Sequence, residues 1–134
     1  MRKLVLKVLA EAFTVCQPAS PTVECAAPYC FAAKTADEVS LVCPTKLVPP
    51  ETVRREDGWR AFCVDGTLNF SLVGILAQIA EVLAREKIAI FAVSTYNTDY
   101  IFTKTDVFGR ALSALAAAGF AVIDPKEESE CSVN

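Results

Sequence analysis

The fold is decided by residues 69–104, which read NFSLVGILAQIAEVLAREKIAIFAVSTYNTDYIFTK. Between residues 70 and 87, apolar side chains recur three and four positions apart, which predicts a helix with Asn69 as its N-cap. Residues 89–94 and 100–103 are rich in β-branched and aromatic side chains and carry no charge, so they predict two strands. A short polar turn joins these two strands.

The same reading extends outward on both sides. An apolar run over residues 59–64 predicts a strand before the helix. A second helix is expected to begin at Thr105 or Asp106 and to end before Gly119, and residues 120–123 predict a final strand. The order β-α-β-β-α-β is that of a ferredoxin-like α+β fold with an antiparallel sheet.

The first half of the chain repeats this order imperfectly. A shift of 61 residues places residues 31–35 on residues 92–96, which favours an internal duplication. The alternative is that any two strand–strand–helix stretches look alike. We therefore predict a degenerate ferredoxin-like repeat over residues 1–58, a complete repeat over residues 59–125 and an acidic tail over residues 126–134.

The first repeat is expected to lack a full first helix. Pro18, Pro21 and Pro28 stand where that helix would lie, and a proline inside a helix costs about 3 kcal/mol. Its second helix can occupy residues 50–57 at most. The apolar face of the first sheet would then be poorly covered and would need a partner, so the sequence predicts a homodimer.

Composition excludes several classes of function. The 134 residues are 53% hydrophobic and 22% charged, with a formal charge of −3 and no histidine. Four of the sixteen acidic groups lie in the last eleven residues, so the body before them is neutral, which argues against nucleic acid or an anionic membrane as partners. Without histidine, Ser-His and Cys-His catalytic pairs are excluded. No cofactor or metal is expected.

Two observations bear on localisation. Lys7 and Glu11 interrupt the apolar N-terminal run, so we interpret it as a strand and not as a secretory signal. The longest uncharged run, residues 66–80, is below the roughly 18 residues that a membrane span needs. A cytoplasmic protein is therefore expected.

The six cysteines fit the same compartment. No pair has CxxC spacing, so a zinc site is not indicated. Cys30, Cys43 and Cys63 fall in apolar runs, which favours reduced thiols in the core. A disulfide between Cys16 and Cys25 is the main alternative.

The loop over residues 65–74 is the first candidate for ligand binding. It leads from a strand into the long helix, and Gly74 is expected in the first helical turn. The unpaired N–H groups of a helix start favour a carboxylate or another anion. Tight packing of the helix on the sheet would explain Gly74 equally well.

The turn over residues 94–99 is the second candidate. It places hydroxyls, a phenol, an amide and a carboxylate between two apolar strands. Asp99 could neutralise a bound ammonium group, although a local hydrogen bond within the turn is the alternative. In the first repeat, Glu38 stands at the equivalent place.

These two stretches together resemble the ACT-domain proteins of the CASTOR-like group. The resemblance rests on Gly66-x-Leu68-x-Phe70-Ser71-x-x-Gly74-Ile75-Leu76 followed by Ser94-Thr95-Tyr96-Asn97-Thr98-Asp99, and more loosely on the chain from Lys3 onward. It implies tandem ACT-type repeats that bind a small effector, usually an amino acid, between repeats. The resemblance implies a set of ligand-binding residues in these two motifs: Ser71, Leu72, Val73, Gly74, Thr95, Tyr96 and Asp99.

The expected function is therefore that of a non-catalytic sensor that binds a small molecule, an amino acid first of all. The helix start would meet the carboxylate of the amino acid and Asp99 its ammonium group. A structural or protein-interaction module that has kept the fold without a ligand is the alternative. An enzyme is not expected, because no residues have the spacing of a known catalytic set.

Overall fold

The computed structural model describes residues 4–22, 27–65 and 73–125. These residues form a mixed α+β fold of eight strands and two α-helices. The strands are β1 (Val5–Val8), β2 (Phe13–Pro18), β3 (Phe31–Lys34), β4 (Val39–Pro44), β5 (Thr52–Val64), β6 (Ile90–Ser94), β7 (Asp99–Lys104) and β8 (Ala121–Ile123). The helices are α1 (Ile75–Arg85) and α2 (Thr105–Ala117), and Thr45–Leu47 forms a 3₁₀ turn.

The chain divides into two compact units, which are described separately. The N-terminal unit comprises Glu11–Trp59, and the C-terminal unit combines the residues up to Ala10 with those from Arg60 onward. Strand β1 therefore belongs to the same unit as the C-terminal half of the chain. Strand β5 begins in the N-terminal unit and ends in the C-terminal unit.

The C-terminal unit contains the predicted β-α-β-β-α-β order in β5, α1, β6, β7, α2 and β8. The strands lie side by side in the order β6-β7-β5-β1-β8. Strand β1 is antiparallel to β5, with Leu6 opposite Val64, and parallel to β8, with Leu6 opposite Val122. The ferredoxin-like order is thus kept, with β1 added between its first and last strands.

The apolar faces of both helices bury the core of this unit. Ile79 and Leu83 of α1 and Leu115 of α2 are fully buried against Ile101 and Phe62 of the sheet. Arg60 packs against this core, because its guanidinium lies over the Phe108 ring, 4.8 Å from the ring centre. The predicted pattern of apolar residues thus identifies both helices. The prediction of Asn69 as the N-cap of the first is wrong, because α1 begins at Ile75 with Gly74 as its N-cap.

The N-terminal unit has four strands in the order β3-β4-β2-β5, all antiparallel to their neighbours. This is also the ferredoxin-like order, with the first half of β5 as the last strand. No α-helix occurs among the residues of this unit that the structure describes, 11–22 and 27–59. The prediction that the prolines prevent a full first helix agrees with this, although residues 23–26 lie outside the described ranges.

The helix predicted within residues 50–57 is wrong, because Thr52–Val64 is one continuous strand. Most residues of its first half are exposed, since only β2 pairs with it there. Such an edge strand carries charged side chains on its open sides and shows no alternation of apolar residues. Asp57 of this segment accepts a hydrogen bond of 2.7 Å from the buried Thr14 and pairs with Arg55 at 2.9 Å.

The two hairpins repeat at a spacing of 60 residues, not 61. The Thr35 amide donates to the Glu38 carbonyl at 2.9 Å, and the Thr95 amide donates to the Thr98 carbonyl at 2.9 Å. In both turns the threonine hydroxyl also bonds the backbone of the residue three positions later. The bounds of β4 and β7 differ by the same 60 positions. The residue equivalent to Asp99 is therefore Val39, so the assignment of Glu38 to that place was wrong.

Candidate functional site

The predicted ligand-binding residues all belong to the C-terminal unit. Ser71 and Leu72 lie outside the described residues, as does Asn69. Val73 precedes α1 and is 91% exposed. The described part of the predicted site therefore consists of Val73 and Gly74 at the start of α1 and the turn that leads into β7.

Gly74 is the N-cap of α1. The prediction that it lies within the first helical turn is therefore wrong. Its φ of 84° lies in the left-handed region, which favours glycine. A Cβ atom at Gly74 would meet nothing within 4 Å, so tight packing of the helix on the sheet does not explain this glycine. The backbone conformation that begins the helix explains it instead.

The start of α1 has the electrostatic character that anion binding needs. The Gln78 amide donates to the Gly74 carbonyl at 2.8 Å, which is the first hydrogen bond of the helix. The backbone amides of residues 75–77 have no acceptor within the helix, and the N-cap, Gly74, has no side chain that could accept a hydrogen bond from them. The first turn contains no acidic residue, so its partial positive charge is not offset within the helix.

The turn between β6 and β7 is held to the end of β5 by Thr98. This side chain is 7% exposed, and its hydroxyl donates to the Val64 carbonyl at 2.8 Å. Val64 is the last residue of β5, from which the chain runs toward α1. The turn is therefore joined to the end of β5, and residues 66–72, which follow in the sequence before α1, lie outside the described residues.

Asp99 is the first residue of β7 and lies opposite Ser94 of β6. Alternate residues of a strand share a face, so Asp99 lies on the same face as Ile101. Ile101 belongs to the core beneath both helices, and Ile75, the first residue of α1, packs against that core. Asp99 thus lies at the start of β7 on the face of the sheet that the two helices cover.

The other two predicted residues of the turn differ in their surroundings. The Thr95 hydroxyl bonds within the turn, donating to the Thr98 carbonyl at 2.9 Å, so it stabilises the turn itself. Tyr96 is 83% exposed. Sequence reasoning missed Thr98, whose partner lies 34 positions away in the chain. The one signal in the sequence that could have indicated Thr98 was its spacing of three positions from Thr95.

The cysteines and acidic residues do not form a metal centre among residues 4–22, 27–65 and 73–125. Cys16, Cys30, Cys43 and Cys63 are thiols. Cys25, the partner of Cys16 in the alternative disulfide, lies outside the described residues. Burial raises the pKa of the Cys16 thiol, while the nearby Arg55 opposes this shift. Within the same residues, no helix has both the length and the apolar character that crossing a membrane requires.

Comparison with known proteins gives a family match and similar folds. Residues 54–117 match the family model of the ACT domain. The match begins in β5 and ends with α2, and it includes both candidate segments. No curated protein matches the chain.

Three solved structures have a similar fold. Protein Atu0741 from Agrobacterium tumefaciens is 25% identical, with a TM-score of 0.82 over 92% of this chain and 95% of that chain. VC0802 from Vibrio cholerae, described as a protein of unknown function and possible transport protein, is 19% identical with a TM-score of 0.63, over 86% of this chain and 89% of that one. The allosteric aspartate kinase of Clostridium acetobutylicum is 18% identical with a TM-score of 0.59, over 85% of this chain and 34% of the kinase.

Proposed function

We propose that the ACT domain of this chain binds a free α-amino acid and acts as a regulatory sensor without catalysing a reaction. ACT domains in general are regulatory domains that bind small molecules. The observation that carries the proposal is that Asp99 lies on the face of the sheet that α1 covers, while the first turn of α1 contains no acidic residue to offset its partial positive charge. An α-amino acid carries one group of each polarity, an ammonium and a carboxylate.

The two ends of the ligand would be recognised by different elements. The uncapped amides at the start of α1 suit the carboxylate, because a helix N-terminus carries a partial positive charge. The Asp99 carboxylate suits the ammonium group. Tyr96 and Leu72, which the resemblance implies as contacts, would select the side chain of the amino acid.

Binding would have a structural consequence that a partner can sense. A ligand held by both segments would restrain the turn that Thr98 already holds to β5 and the entry to α1. A second site or partner that prefers this restrained arrangement would be coupled to the ligand. We propose this coupling as the regulatory mechanism.

We also propose that the chain is a tandem pair of ACT-type repeats related to the CASTOR-like group. Support comes from the ferredoxin-like strand order of both units and from the hairpins that repeat every 60 residues. The N-terminal repeat would be the degenerate one. We also propose a cytoplasmic localisation, which the reduced thiols of the described cysteines support.

The homodimer stays a proposal that rests on the frequent dimerisation of ACT domains. The sequence argument for it weakened, because Cys16, Leu41 and Cys43 of the first sheet are already buried within the chain. Sedimentation at micromolar concentration tests it, and a monomer there would remove it.

The second candidate function is a structural or interaction module without a ligand. The Thr95 hydroxyl favours it, because this side chain is used within the turn. The module and the sensor make opposite predictions for added amino acids.

A thermal-shift panel of the common amino acids tests the proposal. A ligand at a hundred times its Kd adds about 2.7 kcal/mol to the free energy of unfolding. We expect one amino acid, or a few of similar shape, to raise Tm, and Asp99→Asn to abolish that increase. Asp37→Asn, in the corresponding turn of the N-terminal unit, is the matched control and should leave it intact. A panel without any shift would favour the module.

A further inference from the structure

The N-terminal unit contains a cavity of about 550 Å³ that the predicted site does not use. Small-molecule sites typically span about 300–1,000 Å³. The cavity lies over strand β4 and is bordered by three loop segments, residues 18–22, 27–30 and 47–51. All of these belong to a single unit, so the cavity is a property of that unit alone.

The cavity lies where the helices of a complete ferredoxin-like repeat would cover the sheet. Leu41 and Cys43 form its floor, and both belong to the small core cluster that also contains Cys16. Pro18, Pro49 and Pro50 stand in its wall. Because proline is not tolerated in the interior of a helix, irregular segments cover this face of the sheet and leave a concave space between them.

The chemistry of the lining is apolar with one charge. Among the lining residues that the structure describes, only Glu51 carries a charge at neutral pH, and none is a lysine or an arginine. Ser20 and Thr22 supply hydroxyls, and Cys30 and Cys43 supply thiols. An anion would meet one like charge and no opposite charge, whereas a cation would meet an opposite one.

We propose that this cavity binds a small amine with an apolar body, and that it is a second ligand site independent of the amino-acid site. The apolar body would contact Leu47, Pro49 and Pro50, and the ammonium group would lie toward Glu51. A ligand of this class lacks the carboxylate that the start of α1 would bind. The two sites therefore differ in the chemistry that they select.

A second copy of the chain is a less suitable occupant. Leu41 and Cys43 are only 2% and 1% exposed, so their burial offers a partner chain almost no further apolar surface. A stable interface buries about 800 Å² on each partner. Leu47, at 45% exposed, is the one large hydrophobic side chain of the lining that remains open to solvent.

Three probes of one shape and different charge test the proposal: 2-phenylethylamine, 2-phenylethanol and 3-phenylpropionate. Binding is measured as the rise in Tm and, by mass spectrometry, as protection of Cys30 from iodoacetamide. Cys63, in the C-terminal unit, is the internal control. We expect the amine to protect Cys30 and not Cys63, and to bind about threefold more tightly than the alcohol, since Glu51 is exposed and its contribution is modest.

Two variants locate the effect within the cavity. Ala27→Trp fills the space and should remove protection by the amine. Glu51→Gln, at an exposed position, should leave the alcohol bound as before and bring the amine down to its affinity. Equal protection by the carboxylate, protection that survives Ala27→Trp, or no protection by any probe would overturn the proposal.

The remaining outcomes are equally decisive. If Ala27→Trp dissociates a dimer of the wild-type chain, the cavity is an interface between copies and the proposal is wrong. Asp99→Asn should change none of these results. Failure of the amino-acid panel and failure of the amine series are thus separate findings.

Discussion

The Thr98 hydroxyl donates a buried hydrogen bond of 2.8 Å to the Val64 carbonyl. This bond joins the turn before β7 to the last residue of β5. Thr98 belongs to the second candidate segment, residues 94–99, and Val64 directly precedes the first, residues 65–74. Thr98 therefore ties the second segment to the strand from which the first one leaves.

Thr98→Val should lower the free energy of unfolding by about 1–3 kcal/mol, because it leaves the buried Val64 carbonyl without its donor. Urea denaturation measures this loss. Thr98→Ser retains a hydroxyl and should recover most of it. Equal losses for both variants would show that packing of the methyl group matters more than the hydrogen bond.

Gly74→Ala should destabilise the protein by about 1–2 kcal/mol, the cost of a left-handed conformation for a residue with a Cβ atom. Gly109 of α2 provides the matched control, because a Cβ atom there also meets nothing within 4 Å. Gly109 has no positive φ, so Gly109→Ala should stabilise the helix by about 0.5–1 kcal/mol. Thermal unfolding of the two variants gives opposite signs if backbone conformation explains Gly74.

Stability should fall at alkaline pH because of the buried thiols. Burial raises the pKa of Cys63 above its ordinary value of 9.0, although Lys7 opposes the shift. The unfolded chain then loses this proton at lower pH than the folded chain, so stability is full below 9.0 and falls as the pH rises toward the folded pKa.

Cys63→Ala isolates this effect from the other groups that titrate in the same range. Urea denaturation at several values between about pH 8 and pH 10 should show a shallower decline for the variant than for the wild type. Parallel curves for the two proteins would mean that Cys63 does not contribute to the alkaline loss.

The second half of the fold could be predicted from the sequence because its signals are local. The apolar spacing that buries Ile79 and Leu83 follows from the helix period, and the β6–β7 hairpin follows from two apolar runs around a polar turn. Such patterns do not depend on which other parts of the chain lie nearby.

The errors concern features that depend on distant partners. The segment Thr52–Asp57 has no apolar alternation, and it is a strand because β2 pairs with it. Strand β1 joins β5 and β8, which are more than 50 positions away, and nothing in its own residues selects these neighbours. The one-residue error in the repeat spacing arose because the match relied on residue similarity, whereas the shared feature is a hydrogen-bonded turn.

The candidate site was predictable only in part for the same reason. The polar turn and the glycine before the helix are visible in the sequence. The position of the turn beside the end of β5 depends on the bond between Thr98 and Val64, and the cavity of the N-terminal unit depends on how three segments border β4. Neither arrangement has a sequence pattern of its own.

The central claim is that an amino acid binds between the start of α1 and Asp99. A backbone amide NMR titration with the amino acid that raises Tm most tests it directly. The account predicts saturable shifts at Ile75, Leu76 and Asp99, and their loss in Asp99→Asn. Saturable shifts confined to other residues, such as Ala27 and Leu41, would contradict it.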